Sequence, residues 1–178
     1  MKTQLLITAT GEDRPGIVAR LTEVFVKHGA NLEESRMALL GGEFAAIILV
    51  SVPSEKISTL NEELSTLQKE SISVATKPTR AIAPERYRGY VPYELTVSGA
   101  DHEGIVHTVS SFLRDQSINI QSMHSDIVHA PVTGTPLFAM RATVQVPPSI
   151  SLSELKKRLD EIAESQSVEI EVRIPRPS

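Results

Sequence analysis

Apolar residues recur along the chain in short blocks that switch between two spacings. Gln4–Thr10 is apolar and β-branched, which predicts a buried strand. Ile17, Val18, Leu21, Val24 and Phe25 then follow at helical spacing. Pro15 fits the first helical position, where its missing N–H costs nothing, and Gly29 fits the position just past the helix. A strand is expected from Asn31 to Leu40, then a tight hairpin at Gly41-Gly42, then a central strand over the nearly continuous apolar run Phe44–Val52. Ile57, Leu60, Leu64 and Leu67 mark a second amphipathic helix, and Ile72–Lys77 a closing strand.

The pattern then starts again. LLITATGEDRPGIVARLTEVFVKHGANLEES, from Leu5, aligns with YELTVSGADHEGIVHTVSSFLRDQSINIQSM, from Tyr93. One offset superposes Gly11 on Gly99, Asp13 on Asp101, Gly16 on Gly104, Ile17-Val18 on Ile105-Val106 and Asn31 on Asn119. With a loop insertion in the second copy, Phe44-Ala45 meets Phe138-Ala139 and Val52-Pro53 meets Val146-Pro147. The second copy repeats the first helical stripe in Ile105, Val106, Val109, Phe112 and Leu113. Its last helix runs through Leu152, Leu155, Leu159 and Ile162 behind the capping-box pattern Ser151-x-x-Glu154, and Val168–Ile174 closes it. Each copy therefore reads βαββαβ. The expected fold class is α+β: two ferredoxin-like units, each an antiparallel sheet in spatial order 4-1-3-2 with its helices on one face. The expected boundaries are 1–80 and 93–178, joined by a linker at 81–92 that carries Pro84, Gly89 and Pro92. Strands two and four of each sheet are edges, which need covering by each other or by a second chain.

Composition narrows the function classes. With 40% hydrophobic and 22% charged residues, the 178-residue chain has ordinary globular composition. Absence of cysteine removes disulfides, thiol nucleophiles and Cys-ligated zinc. A formal charge of −4 with 4% aromatics leaves direct nucleic-acid binding without electrostatic or stacking support. No apolar run approaches 18 residues and the N-terminus is too polar for a signal peptide, so a cytoplasmic protein without membrane contact is expected.

The most informative segment for chemistry is the turn Gly11-Glu-Asp-Arg-Pro-Gly16, which joins a strand to a helix N-terminus. Unpaired N–H groups and the positive end of the helix dipole can hold a carboxylate there, and glycines permit close approach. Asn31 offers an amide oxygen for an ammonium and an amide nitrogen for a carboxylate. A purely structural role is open to the same residues, Asp13 as a helix cap and Asn31 as a turn former. The histidines give no metal site by spacing: His102/His107 and His124/His129 are each five apart, not four. Ser122, His124 and Asp126 alternate on one strand face like a triad but sit too far apart per step for its direct hydrogen bonds. Glu33, Glu34 and Glu43 are expected to be solvated. No catalytic residue, metal or cofactor is assigned.

DRPGIV, a helix, and then NLEESRMALLGGEFAAIILV together resemble the ACT-domain family, and over nearly the whole chain the resemblance is to its tandem transcriptional regulators of glycine cleavage. The resemblance implies an amino-acid sensor without catalytic activity, with glycine or serine favoured, a homo-oligomer, and a DNA-binding protein as partner. A regulator of an amino-acid metabolic enzyme, with no role in transcription, is the alternative it leaves. It carries ligand contacts onto Asp13, Arg14, Pro15, Gly16 and Ile17, and onto Asn31, Leu32 and Ser35. In copy two they fall on Asp101, Gly104, Ile105, Asn119 and Ile120. There Glu103 replaces the proline and Met123 stands in place of Ser35, and the extra anion opposes a ligand carboxylate.

Overall fold

The computed structural model describes residues 1–80, 87–130 and 133–175. The chain divides into unit 1, Met1–Ile82, and unit 2, Ala83–Ser178. Part of the expected linker, 81–86, lies outside the described residues, as does part of the expected insertion, at 131–132.

Unit 1 contains β1 (Lys2–Glu12), α1 (Ile17–Lys27), β2 (Asn31–Leu40), β3 (Glu43–Pro53), α2 (Ile57–Thr66) and β4 (Ile72–Thr79). Unit 2 repeats the order with β5 (Val91–Ala100), α3 (Ile105–Asp115), β6 (Asn119–His129), β7 (Pro136–Val146), α4 (Leu152–Gln166) and β8 (Val168–Arg173). Both sheets are antiparallel, ordered β2-β3-β1-β4 and β6-β7-β5-β8, which is the order expected from the repeat. Alternation sets the faces. Leu5, Ile7 and Ala9 of β1 and Phe44, Ala46, Ile48, Val50 and Val52 of β3 pack beneath Leu21, Val24 and Phe25 of α1 and Leu60 and Leu64 of α2. Unit 2 builds its own core from Leu95, Val97, Val109, Leu113, Met140, Val144, Leu155 and Leu159.

The start of α1 differs from the sequence expectation. Pro15 is not the first helical residue; Gly16 is the N-cap, at φ 99° and ψ −7°, and the helix begins at Ile17. These are the angles of the third position of a type II turn, and Pro15 occupies the second, where its fixed φ suits the turn. Gly104 repeats the geometry at φ 96° and ψ −10° behind Glu103, so the turn needs the glycine and not the proline. At the other end, Gly29 N–H reaches Val26 O (3.0 Å) and Ala30 N–H reaches Phe25 O (2.8 Å), a Schellman closure around Gly29 as expected. The Ser151 side chain accepts from Glu154 N–H, which satisfies the Ser151 half of the predicted capping box.

One polar cluster went unread in the sequence. His28, nearly buried at the end of α1, meets Glu63 Oε2 (2.9 Å) through Nε2 and Thr59 Oγ1 (3.2 Å) through Nδ1, and Lys27 Nζ lies 2.8 Å from the same Glu63. Lys27 first, and then His28, hold the Glu63 carboxyl below its ordinary range, so this tie between α1 and α2 weakens in acid.

Candidate functional site

The turn after β1 is fixed from both sides. Asp13 N–H donates to Gly42 O (3.0 Å), pinning it to the β2–β3 hairpin, and the Arg14 guanidinium donates to Glu70 O (2.6 Å). Arg14 is thus turned toward the protein's own backbone. Asp13, Pro15 and Gly16 are exposed, whereas the Ile17 side chain is buried, so Ile17 can offer a ligand only its N–H. Gly16 has no side chain to cap the helix and the first turn carries no acidic residue, which leaves the first-turn N–H groups open to an external anion.

Unit 2 builds the same turn. Asp101 N–H donates to Pro136 O (3.2 Å), Gly104 is again the uncapped N-cap, and Ile105 is buried. His102 takes the place of Arg14 and lies 2.7 Å from Gln166 O through Nε2 and 3.0 Å from Glu103 O through Nδ1. Carbonyl oxygens only accept, so both contacts are hydrogen bonds only in the imidazolium form. The Gln166 carbonyl first, and the Glu103 carbonyl second, push the His102 pKa up. A cavity of about 430 Å³ opens beside this turn between Asp101, Gly104, Ile105, Asp126 and Phe138. A group whose folded pKa is raised stabilises fully below its unfolded value, about 6.5 for histidine, and loses that contribution as pH rises through the folded value. Unit 2 of the wild type should therefore lose thermal stability above pH 6.5 relative to His102→Arg, which keeps the contact at all pH values. Parallel thermal midpoints for the two proteins from pH 5.5 to 8.5 would contradict the clamp.

Asn31 sits elsewhere. It pairs with Ser51, and Ser51 pairs with Gln4 at the start of β1, whereas Glu12 pairs with Glu43 beside the turn. Eight residues of strand separate those levels, roughly 26 Å. One unit therefore does not bring the turn and Asn31 together, because α1 carries the chain the full length of the sheet between them. Ser35 is opposite the buried Ile48 and faces the helices, while Asn31, opposite Ser51, faces the other side. Leu32 lies partly exposed between them. Asn119 and Ile120 take the corresponding places in β6, Asn119 exposed opposite Gln145 and Ile120 against the unit 2 core.

Glu33 is exposed, as expected, and also has partners. A β-bulge between Leu32 and Glu34 lifts it out of the ladder, and Asn31 Nδ2 donates to its Oε1 (3.3 Å). The Ser51 hydroxyl, then the Asn31 amide and the charge of Lys2, hold its carboxyl below the usual range. Ser122, His124 and Asp126 do alternate along β6, opposite Thr143, Arg141 and Ala139. Among the described residues no group of three or more acidic, histidine or cysteine side chains could hold a metal ion, and no helix is long and apolar enough to cross a membrane.

The model of the ACT-domain family matches residues 3–75. Unit 1 therefore carries an ACT domain. A curated relative, the glycine cleavage system transcriptional repressor of Escherichia coli, is 32% identical over 121 residues, covering 68% of this chain and 63% of that protein. The chain thus spans less than two thirds of that relative's length. The crystal structure of an unknown protein from Galdieria sulphuraria is 31% identical and superposes with a TM-score of 0.83 over 99% of this chain and 100% of the other. That of a candidate glycine cleavage system transcriptional repressor shares the fold at 22% identity, with a TM-score of 0.74 over 99% of each chain. Both units hold the basic residue of the turn against the same backbone level, Arg14 on Glu70 O and His102 on Gln166 O.

Proposed function

We propose that the chain is a non-catalytic sensor of a small α-amino acid, glycine or serine, that passes its bound state to a protein partner and so regulates the transcription of amino-acid metabolism. The observation that carries this reading is the uncapped helix N-terminus behind Gly16, repeated behind Gly104, in a chain whose first unit matches the ACT domain. The name of the Escherichia coli relative supports glycine metabolism and a transcriptional output. The acidic balance of the chain favours a partner that supplies the DNA contact.

The ligand takes its carboxylate to the Gly16 turn of one chain and its ammonium to the Asn31 end of β2 in a second copy. β2 is an edge strand of ten residues with Met37, Leu39 and Leu40 exposed, the kind of edge that invites pairing. Antiparallel pairing of two β2 edges sets the Asn31 end of one against the Leu40 end of the other. The Leu40 end is the turn end, since Asp13 is bonded to Gly42. Edge pairing therefore unites what a single unit keeps apart.

Calorimetric titration tests the reading. Glycine or serine should bind and acetate should bind more weakly. Asn31→Ala should weaken the amino acid by about 1–3 kcal/mol, roughly a 5- to 150-fold rise in Kd. Equal binding of acetate and glycine, or an unchanged Asn31→Ala, would remove Asn31 from the site. A thermal-shift panel of the common amino acids with no response would remove the sensor.

A further inference from the structure

We propose that Glu33 is the group that demands a primary ammonium on the ligand, and that unit 2, with Gln121 at the matching bulge, makes no such demand. The inference rests on the amino-acid reading above and assigns the specificity of that site to one unit.

The two edge strands are built alike. β2 bulges between Leu32 and Glu34, and β6 between Ile120 and Ser122, so Glu33 and Gln121 are the matching residues outside the ladder. Each sits beside an asparagine, Asn31 or Asn119, and across from the residue paired with that asparagine, Ser51 or Gln145. The polar chemistry then diverges. In unit 1 Asn31 Nδ2 donates to Glu33 Oε1. That contact leaves the Asn31 oxygen as the free acceptor of the amide. An ionised carboxylate has about four acceptor positions, and Asn31 and Ser51 use two of them. The remaining positions on Glu33, together with Asn31 Oδ1, form an exposed cluster of acceptors with a full negative charge. A primary ammonium has three donors and a positive charge and satisfies it; a methyl or trimethylammonium group does not.

In unit 2 Gln145 Nε2 donates to Gln121 Oε1 (2.9 Å). One of the two lone pairs of Gln121 Oε1 is used inside the pair, and the side chain carries no charge; its amide N–H₂ is left to offer. That group turns donors toward an incoming ammonium. The same backbone device therefore presents a charged set of acceptors in one unit and an uncharged pair of amides in the other.

Titration of the full chain with glycine, glycine betaine and acetate, monitored by calorimetry and by side-chain amide NMR, tests the assignment. Glycine should bind at least tenfold more tightly than betaine, and it should shift the Asn31 side-chain amide. Glu33→Gln, with an unchanged thermal midpoint, should weaken glycine tenfold or more and leave acetate as it was. Gln121→Ala should leave glycine binding unaltered. If the wild type binds glycine and Glu33→Gln binds it equally well, the assignment of Glu33 falls while the sensor stands. If Gln121→Ala weakens glycine as much as Glu33→Gln does, the asymmetry between units falls. If the wild type binds no amino acid, both fall together.

Discussion

Phe25→Ala is expected to unfold unit 1 far below the temperature at which unit 2 melts. Phe25 is 2% exposed and among the largest fully enclosed side chains of the core between α1, α2 and the sheet. Truncating a buried phenylalanine costs about 3–5 kcal/mol, because the transfer energy of the ring is lost and the surrounding packing closes only in part. A unit of this size holds roughly 4–12 kcal/mol in total, so the substitution removes a large share. The midpoint of a small domain moves by about 4–8 °C per kcal/mol, which makes the shift at least about 12 °C. The sequence supplies a separate reporter for each outcome. Tyr87, Tyr90 and Tyr93 are all in unit 2 and the chain has no tryptophan, so intrinsic fluorescence follows unit 2 alone. Circular dichroism follows both. The variant should show an early dichroism transition while the tyrosine transition stays in place. Equal displacement of both signals would mean that the two cores melt as one.

Gly11→Ala should destabilise unit 1 by about 1–3 kcal/mol or more, the usual cost of forcing atoms into a packed site. An added Cβ would lie 2.5 Å from the Ser71 carbonyl oxygen, a distance that real contacts do not show. The oxygen cannot retreat cheaply. Ser71 is held in the left-handed region at φ 60°, its N–H is bonded to Gln68 O (3.2 Å), and the next residue, Ile72, is in register with Gly11. The matching Gly99 is less confined. Its added Cβ would meet Val168 Cγ1 at 2.9 Å, Val168 Cα at 3.0 Å and the Ser167 oxygen at 3.2 Å. Denaturant titration should therefore rank Gly11→Ala as more damaging than Gly99→Ala, and the reverse order would show that the β1–β4 contact yields more easily than its geometry indicates. The first glycine of the turn thus serves the approach of the protein's own strand, whereas the sequence suggested the approach of a ligand.

The architecture was legible because each unit states it redundantly. The stripe Ile17, Leu21, Val24 and Phe25 and the run Phe44–Val52 require a helix and a central strand, and Ile105, Val109 and Leu113 with Phe138–Val146 repeat the requirement. The turn residues were legible as a local motif, with Pro15 mistaken only in its office: Gly16 caps the helix that Pro15 was expected to start. The separation of Asn31 from the turn was not legible, since nearness along the chain says nothing about an intervening helix that spans the sheet. Glu33 was missed for a different reason. A bulge adds a residue without glycine or proline to mark it, so alternation along β2 gave no sign that Glu33 leaves the ladder and meets Asn31. The ties from Arg14 to Glu70 and from His28 to Glu63 join residues 56 and 35 positions apart, and no local pattern announces them.

The register of the first and last strands has a consequence for how such a chain arises. Gln4 lies opposite Thr79 in unit 1 and Glu94 lies opposite Arg173 in unit 2, the latter pair also joined by an ion pair. Each unit therefore begins and ends on neighbouring strands at the same end of its sheet. A segment closed in this way can be copied head to tail in a gene, or set into a surface loop of an unrelated protein, with a connection of a few residues and no rethreading of its interior. Each copy then folds on its own core, and the paired bulges are free to differ in charge, as Glu33 and Gln121 do.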